Sequence, residues 1–326
     1  MKDITISRRS LLVSAGLLAL APLAGCGGNS GSGSAAAGSD YTIGVLQLTE
    51  HSALDAANDG FVKAIKESGL KVKIDQKNAQ NDQSTCKSIA DKFVGDNVNL
   101  IYAIATPAAQ AAAGATADIP IVGCAITDYA ASGLVQDNDK PGTNVTGASD
   151  LTPVAEQLEM MQKVLPDVKK IGLLYCTAES NSDVQIKAAK KELDKLDLEY
   201  TDFTVSSSNE IQSVVESAVG KVDALYSPTD NTIAAGASQV GQICKENKLP
   251  YVTGEEGMCM AGGLFTLSIN YEDLGCAAGE MAVKILKGEA KPEEMPIKHL
   301  SSKDLVVVKN DEMAEALGID LSALDE

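Results

Sequence analysis

The stretch 43-IGVLQLTEHSALDAANDGFVKAIKESGLKV-72 sets a pattern that the chain later repeats. Ile43–Leu48 is an apolar run of strand length, and Leu54, Ala57, Phe61 and Ile65 then recur on one face of a helix. Gly69 closes that helix, and Lys71–Asp75 reads as the next strand. At an offset of 128 positions, 171-IGLLYCTAESNSDVQIKAAKKELDKLDLEY-200 has the same organisation. Ile, Gly, Leu and Thr coincide, at 43, 44, 46 and 49 in one copy and 171, 172, 174 and 177 in the other. A second unit repeats in the same order. In 100-LIYAIATPAAQAAAGATADIPIV-122, Tyr102, Thr106-Pro107 and Ile119-Pro120-Ile121 are echoed by Tyr226-Ser227-Pro228 and Leu249-Pro250-Tyr251. Strands alternating with helices predict α/β architecture with parallel sheets covered on both faces. The internal repeat predicts two similar doubly wound lobes with a ligand cleft between them.

The N-terminus is set aside from the fold. Residues 1–25 carry Arg8-Arg9, an apolar run from Leu11 to Leu20, and Leu23-Ala24-Gly25 before Cys26. This resembles a bacterial lipoprotein signal peptide, in which Cys26 becomes the acylated N-terminus. The Ser7-Arg8-Arg9 start also fits twin-arginine export as well as the general route. Residues 26–40 are rich in Gly, Ser and Ala, the composition of a flexible tether. The expectation is an extracytoplasmic domain, lipid-anchored to the bacterial cell membrane and touching the membrane only through Cys26.

Net charge is −18 over 326 residues. Residues 1–25 hold three basic groups and one acidic group, so 27 basic and 45 acidic residues become 24 and 44, a net −20. So acidic a chain argues against nucleic acid as a partner. Both arginines precede Cys26 and the chain has no Trp. An anionic ligand group must therefore be held by lysine, hydroxyls or backbone N–H groups, with no guanidinium fork. Six cysteines follow Cys26 without a C-x-x-C pair, which gives zinc no support; Cys259 and Cys276 are the first pair to test for a disulfide.

Ligands of doubly wound sheets bind at the carboxyl ends of the strands. The first lobe places Gln47, Glu50 and His51 there, then Thr106-Pro107-Ala108, then Thr127-Asp128-Tyr129. The second places Tyr175, Glu179, Asn181 and Ser182, then Thr229-Asp230-Asn231, then Glu255. Pro107 suits a first helical turn, Thr106 can cap, and the alanines let backbone N–H groups approach an anion.

The stretches 43-IGVLQLTEHSALD-55, 104-IATPAAQ-110, 125-AITD-128, 144-NVTGASD-150, 226-YSPTDNT-232 and 282-AVKILKGEAKPEEMPI-297 give residues 41–320 a family likeness. The chain resembles the ABC-transporter substrate-binding lipoproteins related to the tryptophan-binding component of Gram-positive bacteria. It departs from them in its six extra cysteines and in Tyr129, where relatives often have proline after the Thr-Asp pair. The resemblance implies a periplasmic-binding-protein fold of type I with a three-crossing hinge, working as a monomer without a cofactor. It implies delivery of a small ligand, an aromatic amino acid such as tryptophan, to an ABC permease and its ATPase.

Such a zwitterion needs a carboxylate for its ammonium: Asp230 first, then Asp128 or Glu255. Its own carboxylate falls to Thr106–Ala108, or to Asn181 and Ser182. Tyr129 and Tyr175 are candidates to face the ring, whereas Tyr102 and Tyr226 read as core. His51 either donates to the ligand or bonds Glu50 locally. The boundaries read as 41–149 plus 271–295 for the first lobe and 150–270 plus 296–326 for the second. Ser149, Asp150 and Asn270 then lie at the hinge. Alternatives are a nucleoside or another amino acid in the same fold, or a ligand-sensing lobe for a receptor. An enzyme lacks support: there is no G-x-S-x-G, P-loop or H-E-x-x-H.

Overall fold

The computed structural model describes residues 40–325. The expected signal peptide, Cys26 and all but the last residue of the expected tether lie outside them. The chain runs β1 (Tyr41–Gln47), α1 (Ser52–Glu67), β2 (Val72–Asn78), α2 (Gln83–Gly95), β3 (Leu100–Ile104), α3 (Thr106–Ala115), β4 (Ile121–Cys124) and β5 (Val145–Ser149). It continues through α4 (Val154–Val164), β6 (Lys170–Cys176), α5 (Ser180–Lys195), β7 (Glu199–Val205), α6 (Ile211–Ala218), β8 (Ala224–Ser227), α7 (Asn231–Ala235), α8 (Ala237–Glu246), β9 (Tyr251–Thr253) and α9 (Glu256–Gly262). It ends with β10 (Phe265–Ile269), α10 (Tyr271–Leu286), β11 (Lys298–His299), β12 (Leu305–Lys309) and α11 (Asp311–Leu317).

The first sheet has the order β11-β5-β4-β3-β1-β2 and the second β7-β6-β8-β9, every pair in both being parallel. Read from the strand that opens each lobe, both begin 2-1-3-4, the doubly wound order. The repeated glycine has a packing reason. A Cβ on Gly44 would stand 2.6 Å from the Phe93 ring, and one on Gly172 2.5 Å from Leu225 Cδ2. In each lobe the bare strand lets a large neighbour close down on it.

Each lobe has its own apolar interior. The first is built from β1, β3, β4 and the faces of α1, α2, α3 and α10; the second divides into a cluster on either side of its sheet. Tyr102 and Tyr226 are fully buried, Tyr102 stacking on Phe61 at 3.7 Å between centroids.

The chain passes between lobes after β5, returns from β10 into α10, and crosses again before β12. Strand β12 pairs antiparallel with β10. The last crossing lies later than the sequence reading puts it. Lys298 and His299 pair in parallel with Ala148 and Ser149, so the segment from 296 still belongs to the first sheet there. Two residues of strand carry too little pattern to be recognised. Cys259 and Cys276 are not paired; all six cysteines from Cys86 to Cys276 are free thiols, five of them buried. No helix among the described residues is long and apolar enough to cross a membrane.

Candidate ligand-binding site

The carboxyl ends of both sheets face one narrow cavity. His51 and Leu54 come from the start of α1, and Ala125 and Thr127 from the end of β4. Asp150 follows β5, and Tyr271 opens α10. From the other lobe come Asn181, Thr229, Asp230, Asn231, Ala234 and Glu255. Two strand ends are held in unusual backbone. Ala105 has φ 82° and Ala125 φ 55°, in the sparsely populated left-handed region.

Four carboxylates are buried at or behind this wall, and they are satisfied very differently. Glu179 accepts from Asn231 N (3.1 Å), Asn231 Nδ2 (2.6 Å), Thr232 N and Oγ1 (both 2.8 Å) and Asn181 Nδ2 (3.0 Å). Asp230 caps α7 through Ile233 N (2.9 Å) and accepts from Cys176 N (2.6 Å) and Ser182 Oγ (2.7 Å). Glu255 caps α9 through Met258 N (2.6 Å) and Gly257 N (2.5 Å). Among the described residues, the side chains that donate to Asp150 are two hydroxyls, Tyr271 at 3.1 Å and Thr127 at 3.4 Å. Desolvation pushes Asp150 up to about 6 and Glu255 up to about 7. Asp230 is also raised, by burial first and then by the charge of Glu179. Burial lowers His51, which favours the neutral imidazole. The cavity thus gathers carboxylates whose charged forms burial disfavours, and no lysine among the described residues lines it.

Sequence-proposed residues divide into three groups. His51, Thr127, Asn181, Asp230, Asn231 and Glu255 line the cavity, as does Asp150, which the sequence placed at the hinge. Others stand one layer behind. Ser182 bonds Asp230, and Ser149 Oγ donates to Thr127 O at 2.8 Å. Gln47 donates to Thr49 O and to Asp55 Oδ1. Asn270 caps α10 and lines an adjoining groove that shares Glu255 and Tyr271 with the cavity.

The rest point elsewhere. Tyr129 is fully buried in the first-lobe core, its hydroxyl donating to Ala148 O at 3.0 Å, so it offers no face to a ligand ring. Tyr175 packs on the second-lobe core and reaches Asp202 at 3.4 Å. Asp128 caps its own turn, accepting from Ala131 N and Asn138 Nδ2, both at 3.0 Å. Glu50 is exposed and does not line the cavity. Thr106 and Ala108 are buried inside the first lobe. Thr106 does not cap α3: Ala105 occupies the cap position, and Thr106 Oγ1 has no partner among the described residues.

Sequence reasoning missed Leu54, Ala125, Ala234 and Tyr271. The apolar three look like any core residue. Tyr271 carried a signal, as an aromatic residue directly after the hinge return at Asn270.

The lobes also touch directly across the cleft. Asn81 Nδ2 donates to Thr232 Oγ1 at 3.0 Å, Gln185 Nε2 to Thr127 Oγ1 at 3.3 Å, and Gln110 Nε2 to Ser180 Oγ at 3.4 Å. His51 Nε2 lies 3.3 Å from Asn231 Oδ1.

Two α/β lobes, three connecting segments and a polar cleft between strand ends define a binding protein of the type I periplasmic fold. The chain belongs to the ABC transporter substrate binding protein family, whose pattern matches residues 42–323. It is 40% identical over 324 residues to the tyrosine-binding protein of Clostridioides difficile strain R20291, covering 96% of this chain and 93% of that one. Among solved structures, an ABC domain from Streptococcus pneumonia in complex with L-Trp is 41% identical. It superposes with a TM-score of 0.83 over 87% of this chain and 98% of its own. A ligand-free, open substrate binding protein with adhesive properties from Clostridium difficile is 45% identical. Its TM-score is nevertheless only 0.66, over 86% and 95% of the two chains. The better match to the liganded relative, despite lower identity, agrees with the cross-cleft hydrogen bonds: the lobes stand closed.

Proposed function

We propose that this protein is the solute-binding lipoprotein of an ABC importer and that it captures an aromatic amino acid, tyrosine or tryptophan, by closing its lobes around it. The observation that carries the reading is a cavity with three raised carboxylates and, among the described residues, no lysine on its wall. Buried carboxylates of this kind are relieved by a cation, and an amino acid brings its own. A nucleoside has no such charge, which makes it the weaker alternative. The relatives that bind tyrosine and carry L-Trp point the same way.

Asp150 is the ammonium acceptor in this reading. Asp230, first choice from sequence, already accepts three bonds of 2.6–2.9 Å, two of them from backbone N–H groups, against two longer hydroxyl bonds at Asp150. The ring lies against Leu54, Ala125, Ala234 and Tyr271, an apolar slot that replaces the stacking once expected from Tyr129 and Tyr175. The partners are an ABC permease and its ATPase, reached by a monomer anchored through Cys26 outside the cytoplasm. Thermal-shift measurements on the purified chain against the twenty amino acids and common nucleosides test this. Stabilisation by tyrosine or tryptophan is expected; a shift with nucleosides alone, or with none of the panel, overturns the reading.

A further inference from the structure

The cavity contains a hydrogen-bond chain whose polarity is fixed by chemistry. Glu179 is a carboxylate and only accepts, so Asn231 must turn Nδ2 toward it, as the 2.6 Å contact shows. Asn231 Oδ1 therefore faces His51 Nε2, 3.3 Å away, and an amide oxygen can only accept. The proton of a neutral His51 thus sits on Nε2, leaving a lone pair on Nδ1. That Nδ1 is enclosed and has no hydrogen-bond partner among the described residues. His51 lines the cavity and meets Asn231 there, while Asp150 pairs with Tyr271 on the same wall.

We infer that His51 Nδ1 is a specificity-determining acceptor that selects aromatic ligands with a hydrogen-bond donor on the ring, the tyrosine O–H or the indole N–H, over phenylalanine. This rests on the aromatic amino-acid reading and deepens it. Glu179 and Asn231 are positioning residues: through their hydrogen bonds they decide which imidazole nitrogen carries the proton. An acceptor buried without a donor is costly, so a site built around one rejects the analogue that lacks the donor more strongly than a purely apolar slot would.

Calorimetric titration of the purified full chain with tyrosine, tryptophan, phenylalanine and 4-fluorophenylalanine is the test. The last is nearly the size of tyrosine and has no ring donor. The wild-type chain is expected to bind tyrosine and tryptophan roughly ten- to a hundredfold more tightly than either donor-less ligand. In His51→Leu that ratio should collapse towards one, and in Asn231→Leu, which frees the tautomer, it should fall in the same direction. Equal wild-type affinity for all four ligands would sink the inference and leave the aromatic reading standing. So would a His51→Leu chain that weakens all four alike. Binding of none of the four would sink both.

Discussion

Asp150 illustrates how local chemistry divides roles among neighbouring carboxylates. Glu179, Asp230 and Glu255 all face backbone N–H groups at helix starts, an arrangement that any helix end can supply. Asp150 follows a strand at a lobe crossing, has no helix to cap, and keeps the least satisfied oxygens. Asp150→Asn, which preserves size, is expected to weaken binding of tyrosine or tryptophan by about 1.5–3 kcal/mol, on the order of ten- to a hundredfold. An unchanged dissociation constant by calorimetry would return the ammonium to Asp230 or Glu255. The pH dependence has a definite sign. A carboxylate with a raised folded pKa binds its proton more tightly in the folded state than in the unfolded one. Its contribution to stability is therefore complete below the ordinary values of 3.8 for Asp150 and 4.5 for Glu255, and is lost as pH rises through about 6 and about 7. A ligand ammonium should offset that loss. The thermal shift produced by the amino acid should accordingly grow between about pH 5 and 7.5, and equal shifts across that window would separate binding from these ionisations.

At the scale of elements, the contact between α1 and α10 ties the hinge return to the first lobe. It depends on bare backbone. A Cβ on Gly60 would stand 1.9 Å from Glu272 O, and one on Gly275 2.0 Å from Ala57 O. Gly275→Ala should lower stability by roughly 1–3 kcal/mol through overpacking, read as a fall in melting temperature. Lys63 and Glu272 form an ion pair across the same two helices at 2.7 Å, with both side chains about half exposed. Lys63→Ala should leave the melting temperature within error, because an exposed pair of this kind contributes little. If the lysine change proved the costlier of the two, close backbone packing would not be what joins these helices.

At the scale of the molecule, closure is a sum of small polar contacts between lobes that each fold around their own core. Asn81 makes one of them from a backbone with φ 59°, a conformation glycine adopts freely. Asn81→Gly therefore removes the contact to Thr232 without adding strain. It should weaken ligand binding by about 0.5–1.5 kcal/mol and favour the more extended form in small-angle scattering of the ligand-free chain. Unaltered affinity and scattering would show that the cleft is held shut by the ligand alone.

The repeat at 43–72 and 171–200 determined the architecture from sequence, because strand–helix alternation and the spacing of apolar residues are local properties of the chain. Local chemistry likewise marked Thr127, Asn181, Asp230, Asn231 and Glu255 as strand-end polar residues. Which of the strand-end candidates meet in one cavity was decided only by tertiary structure. Tyr129 and Asp128 sit beside Thr127 in sequence, yet one turns into the core and the other caps its own turn, since side-chain direction depends on how the chain leaves the strand. The special position of Asp150 depends on what Tyr271 and Thr127 provide and on what no helix provides. The tautomer of His51 is set by Glu179 and Asn231, brought to it from the opposite lobe, and contacts of that range leave no trace in local pattern.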